Sequence, residues 1–147
     1  MNSNQKTAVL MGGISKEREI SLMSGKAILS SLLRSGVDAF SFDPKKRSIL
    51  ELNEEKVDNV FIALHGKFGE DGFAQGILEF LNLPYTGSDL ASSSLAMNKA
   101  QTKRIWNAEG LKNPDFFELD KNKNIKDYFD LLTFPMIVKP VCEGSSL

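Results

Sequence analysis

Apolar and polar positions along this chain alternate as short buried strands and amphipathic helices. Thr7 to Met11 is an apolar run stopped by Gly12-Gly13, and Ser15 precedes a helix-compatible segment. This order predicts a buried strand, a tight turn and a helix N-terminus. The helix opened by Ser15 carries Ile20, Met23, Ala27 and Ile28 towards one side and Leu22, Leu29 and Leu33 towards another, which predicts burial on more than one face. Arg34 and Gly36 are its stop signals. Val37 to Phe42 follows as a second strand ended by Asp43-Pro44, and the polar connection from Ser48 to Lys56 leaves room for a short helix. Val57 to Leu64 is a third strand, whose continuous apolar core from Val60 to Leu64 suits a parallel sheet covered on both faces. With right-handed crossovers, this order gives a Rossmann-like, doubly wound parallel α/β domain.

The second half continues with a helix from Phe73 to Asn82, in which Phe73, Ile77, Leu78 and Leu81 stand at core spacing. Leu83 to Ser88 reads as a short edge strand or turn, and Gly87-Ser88-Asp89 begins another short helix. Near Met97 the character changes. Asn98 to Glu109 is a helix closed by Gly110, Asp115 to Leu119 a strand, Asn124 to Leu132 a charged amphipathic helix, and Phe134 to Pro140 a further strand bounded by prolines.

Composition narrows the class. The 147 residues suffice for one ordinary core or two small subdomains, and 41% hydrophobic with 25% charged residues is a soluble globular balance. No apolar run approaches the roughly 20 residues needed to cross a bilayer, and the polar N-terminus leads into a strand without a signal-peptide core. One cysteine, Cys142, excludes an internal disulfide and fits a reducing, cytoplasmic setting. A net charge of -1 with interspersed signs argues against a nucleic-acid surface.

In an open parallel sheet, ligands gather at the carboxyl ends of the strands, and two loops here meet that condition. The first, Gly12 to Ser21, places Glu17 and Glu19 at a helix start, where they either favour the helix dipole or include a ligand-binding carboxylate. Its glycine spacing is not that of the dinucleotide fingerprint. The second, His65 to Gly72, is glycine-rich and holds the only histidine, a structural residue or a catalytic one. Further on, Lys99 and Lys103 stand one helical turn apart, the pattern of a solvated face. Lys139 ends an apolar run just before Glu143-Gly144-Ser145-Ser146, a turn suited to phosphate oxygens or a plain surface loop.

Four collinear stretches together resemble D-alanine–D-alanine ligases of the ATP-grasp family: Gly12 to Ser21; Ala63-Leu64-His65-Gly66 with Gly69-Glu70-Asp71-Gly72; Met97-Asn98-Lys99; and Pro135 to Pro140 with Glu143 to Ser146. The resemblance implies an N-terminal, substrate-side α/β domain over residues 1–97 and the start of an ATP-grasp domain over 98–147. It implies phosphorylation of one D-alanine by ATP with Mg2+, attack by the amine of a second through a tetrahedral intermediate, and a role in peptidoglycan precursor synthesis. Glu17 then holds the first D-alanine's ammonium, Ser145 and its neighbour Ser146 join that glutamate's network, and His65 lies near the first substrate's carboxylate. Lys99 and Lys139 meet ATP phosphates, with Glu143 and Gly144 in the nucleotide site. Glu17 and Ser145 are the catalytic candidates. Arg18, Glu19, Glu70 and Asp71 orient the loops, and a homodimer through the N-terminal domain is implied. Val141-Cys142 departs from the small or polar residues expected there. The metal-binding acidic residues and asparagine, an arginine for the tetrahedral intermediate and most of the adenine site are missing from the chain, so it reads as a fragment or truncated product, inactive alone. Alternatives are ligation to D-serine or D-lactate, or a noncatalytic module that dimerises or binds a small ligand.

Overall fold

A computed structural model describes residues 5–120, 122–129 and 134–143. Strands β1 (Lys6–Leu10), β2 (Asp38–Phe42) and β3 (Asn59–Ile62) form a parallel sheet in the order β2-β1-β3, with Ala8 opposite Phe40 on one side and Val60 on the other. Because β1 is paired along both edges, its apolar run can be wholly buried: Ala8, Val9 and Leu10 are all 0% exposed.

Strand alternation divides the core between two faces. Ala8 and Leu10 join Phe42, Leu52, Val60 and Leu78 on one, beneath helix α2 (Phe73–Phe80) and a 3-10 turn at Ile49–Asn53. Val9 and Met11 join Ala63 on the other, beneath Leu22, Ile28, Leu29 and Leu32 of helix α1 (Arg18–Arg34). A parallel sheet with helices on both faces is the α/β architecture that the hydrophobic pattern predicts.

Several elements differ from the sequence expectation. Helix α1 begins at Arg18, because the Glu17 N–H donates to Ser15 Oγ at 3.1 Å and residues 14–17 form a turn ahead of the helix. Only one stripe of α1 faces the sheet, so Ile20 and Met23 stay exposed. On α2 Phe73 also faces outward, and Ala74 occupies the buried position beside Leu78. The edge segment after α2 contributes a single parallel bridge, Val60 to Tyr85.

Helix α3 (Leu90–Met97) is capped by Asp89, whose side chain accepts from Ser92 N–H at 2.7 Å. It meets helix α4 (Lys99–Ala108) at Asn98, which caps α4 by accepting from Gln101 N–H at 3.0 Å. The strands expected at Asp115 to Leu119 and Phe134 to Pro140 are not formed. An apolar run becomes a strand only where a neighbour pairs with it, and no strand flanks either run among the described residues; Ile137 is 80% and Val138 75% exposed. The expected helix at Asn124 to Leu132 is described only as α5 (Lys126–Phe129), its last residues lying outside the described set.

Candidate functional site

The carboxyl edge of the sheet is built from three chain segments that follow the three strands. Ser21, fully buried on α1, joins two of them: the Gly12 N–H donates to its Oγ at 2.8 Å, and that hydroxyl donates to Ala63 O at 2.6 Å. Ser15 adds a second tie, its Oγ–H donating to His65 O at 2.7 Å. The turn after β1 and the loop after β3 are therefore fixed against each other by side chains from the first loop and helix.

Asp43, at the end of β2, fixes the same turn from the other side. Its carboxylate receives a two-pronged ion pair from Arg18, with Nη1 at 2.9 Å from Oδ1 and Nη2 at 2.6 Å from Oδ2. Oδ1 also accepts from the Gly13 and Lys45 N–H groups, each at 3.0 Å, while Arg18 Nη1 donates to Gly13 O at 2.9 Å. The Arg18 hydrogen bonds, reinforced by those backbone donors and opposed by partial burial, hold the Asp43 carboxyl at about 2. Gly12 has a φ of +85°, and a Cβ there would lie 2.6 Å from Arg18 Nη1 and 2.8 Å from Asp43 Oδ1. Glycine is thus required both by the left-handed backbone and by the approach of the ion pair.

Glu17 sits on this frame. The residue is only 9% exposed, its side chain does not cap α1, and Oε1 is buried with no hydrogen-bond partner among the described residues. Its Oε2 lies against Gly66, whose φ is +67° and where a Cβ would overlap the carboxylate. A buried, incompletely satisfied carboxylate is unfavourable unless a cation or donor completes it.

His65 flanks the same crevice. Its Nδ1 is 3.4 Å from Glu70 Oε1 and its Nε2 is 3.0 Å from Ser24 Oγ. A carboxylate only accepts, so the Nδ1 contact is made with Nδ1 as donor; the Ser24 hydroxyl lies 3.0 Å from both Nε2 and Ile20 O, and its single proton serves one of them. Asp71 orders the loop by accepting from Phe68 N–H at 3.0 Å and Phe73 N–H at 3.2 Å. Arg18, Glu70 and Asp71 thus make the loop contacts expected of them, whereas Glu19 is exposed.

Glu17 and His65 are brought to one edge, and the lysines are placed separately. Lys99 opens α4, donates from Nζ to Glu143 O, and its N–H donates to Val141 O at 3.0 Å. Lys103 donates from Nζ to Pro114 O at 2.6 Å. Lys139 is exposed, and Cys142 is an exposed free thiol. Gly144, Ser145 and Ser146 lie outside the described residues. Among the described residues no group of three or more His, Cys, Asp or Glu side chains is placed to hold a metal ion. No described helix is long and apolar enough to cross a membrane.

The sequence reading missed Asp43, Ser21 and Ser24. Asp43-Pro44 carries the signal of a strand stop, and only its nearness in the fold to Arg18 shows the second task. Ser21 and Ser24 differ in no way along the sequence from other helical serines.

The chain is similar in sequence and in fold to known proteins. Residues 41–88 match the family model described as D-ala D-ala ligase N-terminus. The D-alanine–D-alanine ligase of Albidiferax ferrireducens is 53% identical over 142 residues, covering 97% of this chain and 41% of that protein. The crystal structure of the Bacillus anthracis D-alanine–D-alanine ligase superposes with a TM-score of 0.85 at 38% identity, covering 97% of this chain and 47% of that one. The same enzyme complexed with ATP gives 0.83 at 36% identity over 95% of this chain and 48% of that one. The chain spans less than half the length of these relatives. In sequence and fold, over nearly its whole length, it is a homologue of the N-terminal portion of D-alanine–D-alanine ligases.

Proposed function

We propose that this chain supplies the first-substrate side, and part of the nucleotide side, of an ATP-dependent D-alanine–D-alanine ligase acting in cytoplasmic peptidoglycan precursor synthesis. The observation that carries the reading is the buried Glu17 carboxylate, held at the carboxyl edge of the sheet with Oε1 unpartnered among the described residues. The ammonium of a D-amino acid supplies the positive charge and the N–H donors that this oxygen lacks. His65 stands on the neighbouring loop and would face the substrate's carboxylate, its ring set by Ser24 and Glu70.

ATP would serve as phosphoryl donor. Lys99 and Lys139 are the cations available for its phosphates, Lys99 exchanging its contact with Glu143 O for a phosphate oxygen. Glu143, Gly144, Ser145 and Ser146 complete that side in this reading, with Ser145 linking it to Glu17. In this reading the substrate-side domain runs over 1–97 and the ATP-grasp portion starts at 98, a division supported by the break between α3 and α4 at Asn98. The N-terminal domain would carry the homodimer surface.

In this reading the metal-binding acidic residues and asparagine belong to the portion of the relatives that this chain does not match, and phosphoryl transfer needs them. The 147-residue chain alone is therefore expected to release no phosphate from ATP in response to D-alanine. A ligase assembled from this chain and the portion of a relative that it does not match is expected to form ADP only when D-alanine is present. D-alanine-independent turnover, or a folded assembly that responds equally to L-alanine, would reject the proposal.

A further inference from the structure

Among the described residues Glu17 Oε1 has no partner and the side chain does not cap α1. Within that set, its place is given by the backbone turn that precedes it. That turn is anchored at one end by Ser15 on His65 O and at the other by the peptide groups of Gly13. Both polar groups of Gly13 are taken by one ion pair: Asp43 accepts its N–H, and Arg18, the residue next to Glu17, donates to its carbonyl.

The pair is well suited to hold geometry. The Arg18 and Asp43 side chains are only 19% and 12% exposed, their contact is two-pronged, and Asp43 stands on the end of β2, rigidly paired with β1. Any change in where Asp43 meets Arg18 therefore moves the residues on either side of the turn that carries Glu17.

We propose that Asp43, acting through Arg18 and the Gly13 peptide, is a positioning residue that aims the Glu17 carboxylate at the ammonium of an α-amino acid. This rests on the reading of Glu17 given above. Asp43→Asn keeps the size and the bonds to the Gly13 and Lys45 N–H groups but turns one oxygen facing Arg18 into a donor, breaking the two-pronged pair. Arg18→Lys keeps the charge but cannot reach Gly13 O and both carboxylate oxygens together.

The test is the preference of the 147-residue chain for D-alanine over D-lactate, which differs by a hydroxyl in place of the ammonium, read as a ratio of dissociation constants from NMR titrations. Both variants are expected to reduce the preference by at least fivefold, and Asp43→Asn is expected to add less than twofold when combined with Glu17→Gln. Asp58→Ala is the structural control, since it removes the acceptor of Lys6 N–H at the opposite edge of the sheet; it should lower the melting temperature and leave the preference unchanged. Should Asp43→Asn fail to fold, Arg18→Lys carries the comparison alone. An unchanged preference in the folded variants, or an effect that multiplies in full on the Glu17→Gln background, overturns the proposal. If Glu17→Gln itself leaves the preference intact, the reading of Glu17 fails first and the proposal falls with it.

Discussion

Replacing Glu17 by glutamine separates two physical roles for one carboxylate. The side chain keeps its length and loses its charge. Because the residue is only 9% exposed, an ammonium held there is paired in a largely dry setting rather than in water. Removing one partner of a desolvated pair costs about 3 to 5 kcal/mol, a loss of roughly a hundred- to a few-thousandfold in affinity or kcat/KM. Stability should move the other way. Among the described residues Oε1 has no partner and the side chain does not cap α1, so neutralising it relieves a buried carboxylate and is expected to leave the melting temperature unchanged or slightly raised. A carboxylate that only favours the helix dipole predicts the reverse, about 0.3 to 1 kcal/mol of lost stability with kinetics untouched. Steady-state kinetics against D-alanine, in a ligase carrying this chain as its N-terminal portion, decides between them alongside thermal melts. Glu19→Gln is the control, being exposed on the first turn of the same helix. Small and equal kinetic effects at both positions would refute the ammonium-binding role.

Other consequences are open to test. Gly66→Ala places a methyl group on Glu17 Oε2 at a left-handed residue, so it should weaken D-alanine binding at least tenfold by calorimetry; retained affinity would mean that the two loops do not define one site. Ser21→Ala orphans Gly12 N–H and Ala63 O, which should cost about 2 to 4 kcal/mol in urea unfolding, and a loss below about 1 kcal/mol would show that the serine tie is dispensable. Asp43, held at about 2, contributes stability that is fully present above the ordinary carboxylate range and is lost as pH falls from about 4 through about 2. The stability gap between wild type and Asp43→Asn, roughly 1 to 2 kcal/mol after allowing for partial solvent screening, should therefore narrow over that interval; a gap independent of pH would contradict the ion pair.

How far the sequence could be read depends on where each signal is stored. The strands were legible because β1 and β3 are continuous apolar runs ended by glycine or histidine loops, and a strand buried on both faces permits little else. Glu17 and His65 could be placed from the sequence in the loops that follow those strands, with a structural and a functional role both open for each. The start of α1 was not legible, since Ser15 looks like a helix cap and its hydroxyl in fact serves the turn before the helix and the carbonyl of His65. Asp43 was not, because its role exists only through Arg18, a residue 25 positions away. Phe134 to Pro140 shows the opposite failure. Its pattern is that of a buried strand, but hydrophobic pattern specifies only a demand for neighbours, and 78% exposure at Phe134 shows that demand unmet among the described residues.

The most direct measurement is an NMR titration of the 15N-labelled 147-residue chain with D-alanine, following the backbone amides. Amides of the Gly13 to Glu17 turn and of His65 and Gly66 are expected to shift together with one dissociation constant, and the shifts are expected to vanish in Glu17→Gln. D-alanine shifts confined to other parts of the chain, or shifts in the same amides that persist undiminished in Glu17→Gln, would contradict a first-substrate site built around Glu17.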